Sequence, residues 1–512
     1  MLARFRQAVN TVLGNMQNLP QQLQNRLGGN STAKQQQTAA ATDDASLAKK
    51  TEKEKVDKFD YTRPEFLQLS FDEVEVTADH HVRPILVPRD VSKLPWNTGY
   101  AEVINGGKTR CNEDQAIACH FKLKAKLMEH INPTTPEGID VSSSEIEPID
   151  ISCSYFGVFD GHAGSGAALM ARHLLHLHIQ QHLWEIQELL QPQIQEDLNY
   201  LSRSDSKKRQ KWPVSERDVP IDSLIIGALE SSFYEMDEQI ATEKCTYHIS
   251  GGCTALVALF VLGKLYVANA GDSRAVICRG KEVIPMSSDH TPLSERQRLQ
   301  TIAKLHPNLL GDEFARLEYQ KRVGRKDIGK KRLYRDAHMT GWAYKTIEED
   351  DLKFPLVYGD GKKARVLATI GVSRGLGDHD LKVHGTDIMV KPFLSSMPQV
   401  NIYDLGEHDH TENDVLILAS DGLWDVLTIE DAGRIVSKSL ESFSRNDHNR
   451  YTSAAQDLVM ASRGILRENG WRTKSNALAS GDDITAMVIP LYRHSVLSPQ
   501  NSLTESHDAV NI

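Results

Sequence analysis

The chain has 512 residues, 40% of them hydrophobic, and a formal net charge of −10. That is apolar material enough for one large core with extensions or for two to four average domains. The negative charge argues against a surface that coats nucleic acid, and with no run of about eighteen apolar residues neither a membrane span nor a secretory signal is expected. Six cysteines, at 111, 119, 153, 245, 253 and 278, show no paired spacing and several sit in apolar stretches, the pattern of reduced thiols.

Residues 1–58 are rich in Gln, Ala, Thr and Lys and hold no acidic residue before Asp43. Within them Leu2, Phe5, Val9, Val12, Leu13, Met16 and Leu19 fall on a helical stripe ~120° wide, and Pro20 ends the pattern. Such a helix suits an anionic membrane interface, a mitochondrial transit peptide, or docking on this chain or a partner, and the pattern does not separate the three. Residues 20–58 read as a disordered linker and 59–94 as an N-terminal extension.

The core begins near Trp96. Gly99 to Ala118 and Ser152 to Phe159 read as strands around a polar insert, 131–150. A helix runs from Gly164 through Leu169, Leu174, Leu177 and Trp184, with a solvated histidine face (173, 176, 178, 182). Residues 192–220 read as an exposed loop whose Lys207-Lys208-Arg209 could serve as a short nuclear signal, and Ile221 to Lys244 as a second core helix. Cys253 to Met286 reads as successive antiparallel strands. A short helix (293–305), a polar segment to about 362 and a strand from Ala364 to Ile370 follow. Strand Val415–Ala419, helices near 429–440 and 451–467, a last strand 484–491 and a disordered tail, 493–512, complete the chain.

Four acidic clusters stand out. Two apolar strands end in Asp-Gly, at Asp160-Gly161-His162 and at Asp421-Gly422, the latter with Asp425 four residues on. Glu113-Asp114 and Asp482-Asp483 are the other two. A carboxylate delivered to a loop by a buried strand is how metal ligands are presented, and a set of Asp and Glu without thiolate or paired-His spacing matches hard cations, Mg2+ or Mn2+, rather than zinc.

The ordered motifs Asn112-Glu-Asp114, Phe159-Asp-Gly-His-Ala-Gly164, Ser250–Ala255, Val267–Arg274, Asp289–Pro292, Ser373–Asp378, Asp421–Asp425 and Gly481–Asp483 closely resemble the metal-dependent PPM, or type 2C, serine/threonine phosphatases. Arg63–Leu67, Leu94–Asn105 and Met339–Thr346 resemble its H/J/M branch. The resemblance implies an α+β fold, an α/β/β/α sandwich of two antiparallel sheets flanked by helices. It spans 95–492, with an enlarged flap at about 291–366 that points to a dedicated protein substrate. It implies two Mg2+ or Mn2+ ions, with Asp160 bridging, the Gly161 carbonyl on one ion, Asp421 and Asp482 on the other, Glu113 acting through water and Asp114 orienting the shell. The resemblance further implies direct attack on the phosphate by a bridging hydroxide, with His162 as the group that would protonate the leaving oxygen.

Asp272 and Asp425, with Asp421, resemble a third, weaker cation site; the plain alternative is a β-turn aspartate and a helix cap. Arg274 and Arg374 read as structural partners rather than phosphate binders. Many members carry a phosphate-binding arginine where this chain has Thr109, so either a bulge returns Arg110 to the site or another basic group serves. Asp483, where asparagine is common, either strengthens cation binding or points away. The branch implies cytosolic signalling substrates, phosphorylated Rab GTPases among them; the expected location is the cytoplasm, with peripheral membrane contact through residues 1–19 if that helix is interfacial, or the nucleus if the basic run 207–209 is a signal. Oligomeric state is left open, and the competing reading is a catalytically silent scaffold on the same fold. A metal nuclease would instead require a basic groove.

Overall fold

The computed structural model describes residues 56–123, 150–190 and 219–492. The expected amphipathic helix, most of the linker, the Lys207–Arg209 run and the C-terminal tail lie outside the described residues. No helix among the described residues is long and apolar enough to cross a membrane.

Two five-stranded antiparallel sheets stack face to face. Ten strands build them: β1 Gly99–Val103, β2 Gln115–Leu123, β3 Ile151–Phe159, β4 Ala255–Val261, β5 Lys264–Ala270, β6 Arg274–Arg279, β7 Glu282–Pro285, β8 Gln399–Asp404, β9 Val415–Ala419 and β10 Ile484–Pro490. One sheet runs β1-β10-β9-β6-β7 and the other β8-β5-β4-β3-β2. Side-chain alternation assigns the layers. On β3, Phe156 and Val158 enter the core between the sheets while Cys153, Tyr155 and Phe159 face the other way. On β9, Leu416 and Leu418 point inward and Val415, Ile417 and Ala419 outward.

Each outer face is covered by a helix pair. Helices α1 (Gly166–Glu185) and α2 (Ile221–Glu243) cover the β3 sheet, and α4 (Ile429–Glu441) and α5 (Arg450–Arg463) cover the β9 sheet. This is the four-layer sandwich the motifs imply. Between β7 and β8 the flap begins with α3 (Arg296–Leu305) and continues into a small sheet of Glu318–Tyr319, Lys331–Arg335 and Ala343–Thr346. The flap region has its own core, which includes Leu299, Phe314, Leu356, Val366 and Phe393.

Four local expectations need correction, and one helix needs its buried face restated. Gly99–Ala118 is two strands: the Asn105 carboxamide oxygen accepts from the backbone N–H of Gly107, Lys108 and Thr109, folding residues 104–114 out of the sheet. Cys253–Met286 is two hairpins in different sheets, because the chain crosses from β5 to β6 at Gly271 (φ 148°), packed against Thr254. Helix α1 does run through Leu169, Leu174, Leu177 and Trp184, but its buried face is Ala168, Ala171, Leu175, Ile179 and Leu183, and Leu177 and Trp184 are 48% and 50% exposed. The strand expected over 364–370 is two residues, Arg365–Val366, stopped by left-handed Leu367 and Ala368. The helix expected to reach 467 ends at Arg463, where Gly464 (φ 72°) starts a hairpin. At the near end, Val56–Lys58 already contact the domain through His248 and Glu243.

Candidate active site

Strand β3 ends at Phe159 and delivers Asp160; β9 ends at Ala419 and delivers Asp421 at the start of a helical turn, Asp421–Trp424; the β5–β6 crossover delivers Asp272. One carboxylate oxygen from each of the three lies within 4.8 Å of the others. Asp160 and Asp421 come from different sheets, so the cluster sits where the strand ends of both layers converge.

The glycine after each of the two strand-end aspartates is required by close approach, not by turn geometry. A Cβ on Gly161 would lie 2.4 Å from the Glu113 carbonyl oxygen, and one on Gly422 would lie 1.9 Å from that of Asp483. Neither glycine has a positive φ. Asp-Gly therefore brings a second acidic segment against each strand end, Glu113-Asp114 beside Asp160 and Asp482-Asp483 beside Asp421.

Burial and mutual repulsion push these carboxyls up. Asp160 and Asp272 sit well above the usual range, burial acting first and the Asp421 charge next, and Asp421 is raised to about 6 by burial, Asp482 and Asp425. Asp114 is fully enclosed: one oxygen accepts from Ser420 Oγ at 2.7 Å and the other, Oδ1, has no hydrogen-bond partner among the described residues. Packed carboxylates with an orphaned buried oxygen form an all-oxygen donor set that fits hard divalent cations.

The other carboxylates and arginines singled out in the sequence take distinct positions. Glu113 Oε1 accepts from Gly164 N at 2.9 Å. Asp482 Oδ2 is paired with Lys108, and Asp425 Oδ1 with Lys362 of the flap at 2.5 Å. Asp483 is a strut, accepting the backbone N–H of Asn105 at 2.7 Å and of Glu113 at 3.0 Å. Because residues 104–114 form a loop, strand parity does not govern Arg110, which is exposed; within this loop it is Lys108 that reaches an acidic residue of the site. Arg274 and Arg374 are held by Asp289 and Glu295 in two-pronged pairs, as expected of structural arginines.

Asp378 was not singled out as a partner of His162. His162 Nε2 lies 2.7 Å from Asp378 Oδ2. Burial alone would lower the imidazole pKa, but the Asp378 carboxylate offsets this and the group titrates above its ordinary value. Gly252 makes room for the pair, since a Cβ there would lie 2.2 Å from Asp378 Oδ2. The signal was present as the last residue of Ser373–Asp378, without anything local to show what it faces.

A family model described as Protein phosphatase 2C matches residues 136–303 and 353–465. Protein phosphatase 1H of Rattus norvegicus is 52% identical over 478 residues, covering 86% of this chain and 93% of that protein. Protein phosphatase 1J of Mus musculus is 49% identical over 442 residues, covering 84% and 86%. Among solved structures, serine-threonine phosphatase 2C from Toxoplasma gondii aligns at 19% identity and a TM-score of 0.38, over 80% of this chain and 99% of that one. With the four-layer fold and relatives of about half-identical sequence over most of its length, the chain belongs to the protein phosphatase 2C family, the metal-dependent serine/threonine protein phosphatases.

Proposed function

We propose that the chain hydrolyses phosphoserine and phosphothreonine on protein substrates at the cluster of Asp160, Asp272 and Asp421. The observation that carries this reading is the convergence of three carboxylates, from separate strand ends and a crossover, within 4.8 Å. Asp160, the Gly161 carbonyl, Asp421 and Asp482 would hold two Mg2+ or Mn2+ ions, with Glu113 and Asp114 orienting their water shell and Asp272 and Asp425 available to a third. Such ions, when bound, neutralise the phosphate and make water acidic enough to ionise near neutral pH. His162, held by Asp378, stands two residues from Asp160 and donates the proton that the leaving serine or threonine oxygen needs. Lys108, paired with Asp482, would serve as the other basic group that meets phosphate, the alternative to Arg110.

The flap supports a protein substrate. Lys321, Arg322, Arg325, Lys326, Lys330 and Lys331 are exposed on it, as are the aromatic rings of Trp342 and Tyr344. Rab GTPases are the substrate class we favour, and a membrane-seeking helix at residues 1–19 would bring the enzyme to them from the cytoplasm.

Hydrolysis of para-nitrophenyl phosphate with Mn2+ tests the reading. Activity is expected to vanish with EDTA, to return with Mn2+, and to fall at least about a hundredfold in Asp160→Ala and Asp421→Ala. Undiminished turnover in EDTA overturns the metal mechanism, and no turnover in any divalent cation favours the silent scaffold.

A further inference from the structure

Two arginines of the N-terminal extension are almost fully enclosed, and each is bonded to a loop carrying acidic residues of the site. Arg83 is 0% exposed and Arg63 5%. Arg83 Nε donates to the Ile104 carbonyl at 2.7 Å, Nη1 to that of Ser480 at 2.7 Å, and Nη2 to that of Asp482 at 2.8 Å. Among the described residues no carboxylate hydrogen-bonds it, and burial, with the nearby Arg463 charge, lowers its pKa to about 10. Its backbone is left-handed (φ 48°), held so by a turn in which Asp79 accepts from the N–H of His81, Val82 and Arg83. A buried guanidinium spent on backbone carbonyls, from a residue in a costly conformation, is expensive to maintain unless the geometry it fixes matters.

Arg63 does the same for the opposite loop. Its Nη1 donates to the carbonyls of Asn112 at 3.0 Å and Asp114 at 2.6 Å, while Nε and Nη2 grip buried Glu102 in a two-pronged pair at 2.7 and 2.6 Å. Tyr61 donates to the Asn112 carbonyl as well, at 3.0 Å. Loop 104–114 and loop 480–483 are thus pinned from behind by one segment. They are also tied to each other through Gly106 N and the Gly481 carbonyl at 2.9 Å, and through Asp483.

We propose that Arg63 and Arg83 are positioning residues for the cation site: the extension sets its metal affinity by holding the backbone of Glu113-Asp114 and of Asp482 in ligating register. This rests on the reading of those carboxylates as cation ligands. Binding energy lost when a loop must be ordered by the ion appears as weaker metal binding, with chemistry at saturating metal preserved.

The test uses the full chain stripped of metal, with Mn2+ binding followed by calorimetry and, separately, turnover of para-nitrophenyl phosphate against Mn2+ concentration. Arg83→Lys and Arg83→Gln act on loop 480–483 and, through Ile104, on the start of loop 104–114, Arg63→Lys acts on the far end of loop 104–114 alone, and Arg89→Ala, an exposed change in the same extension, is the control. The arginine variants are expected to bind Mn2+ about tenfold more weakly, the scale of losses beyond the direct ligands, with kcat at saturating Mn2+ within about twofold of wild type. Amide exchange in 478–484 or 104–114 is expected to quicken in the matching variant. Folded variants that bind Mn2+ as tightly as wild type overturn the proposal, as does a loss confined to kcat. Failure of all three to unfold cooperatively overturns it too, since the arginines would then serve the fold at large. A wild-type chain that bound no Mn2+ would instead sink the cation reading on which this stands.

Discussion

What a carboxylate does in this site is decided by what donates to it. Asp483 spends both oxygens on backbone N–H groups and holds two loops together, whereas Asp160 lies against Asp272 and Asp421; burial raises both carboxyls, that of Asp483 to about 6. Asp378 is committed to His162, which fixes a consequence for catalysis. A proton donor matters most when the leaving group is a poor one: a serine alkoxide needs protonation far more than nitrophenolate does. In Asp378→Asn the imidazole loses its orienting anion, so turnover of a phosphopeptide is expected to drop about a hundredfold and that of para-nitrophenyl phosphate less than tenfold. Equal losses on both substrates would exclude His162 and Asp378 from proton donation. Asp160 and Asp421 were legible in the sequence because an apolar run stopping at Asp-Gly is a local signal. Asp378, Arg63 and Arg83 were not, since their partners lie 216 to 399 residues away for Asp378 and the Asp482 contact of Arg83, and nothing local marks an arginine that will be buried.

At the level of elements, strand composition and period revealed the sheets and their flanking helices, but connections were misread wherever one polar side chain or one glycine redirects the chain. The β5–β6 link reads as a turn between successive antiparallel strands, yet it changes sheet and thereby carries Asp272 to the site. Helix α2 shows a similar long-range dependence. Its Asp237 Oδ1 accepts from Gly377 N at 2.9 Å and Lys391 Nζ at 2.8 Å and lies 3.0 Å from His379 Nε2, bracketing the residue that faces His162. Burial alone would raise the Asp237 carboxyl, but Lys391 and His379 more than offset it and bring the pKa down to about 2. A carboxyl depressed on folding contributes stability that is fully present above its unfolded value, ~3.9, and is lost as pH falls through the folded one. Asp237→Asn is expected to cost about 2–3 kcal/mol at pH 7 in urea unfolding, a gap that halves by about pH 3. A gap unchanged from pH 5 to pH 3 would show that the loss comes from packing rather than charge.

Over the whole molecule the charges are unevenly shared. The chain carries a net charge of −10, yet between Lys321 and Arg335 Asp327 is the single carboxylate among eight cations. The flap region is stabilised by its own apolar cluster and touches the site through Lys362 and Asp425, so its surface charge can change without disturbing the carboxylates. A small phosphoester needs only the cleft, whereas a phosphoprotein of acidic surface gains from the flap by steering over about a Debye length, ~8–10 Å at moderate salt. Replacing Lys321, Arg322, Arg325 and Lys326 together by Glu is therefore expected to lower kcat/KM on a phosphoprotein substrate by tenfold or more, chiefly through association, and to flatten its dependence on salt. Turnover of para-nitrophenyl phosphate should stay within about twofold, because a substrate that small has no contact with the flap's outer face. If both substrates lose activity together, the flap acts on the cleft rather than on recognition; if neither does, the protein substrate docks elsewhere on the sandwich.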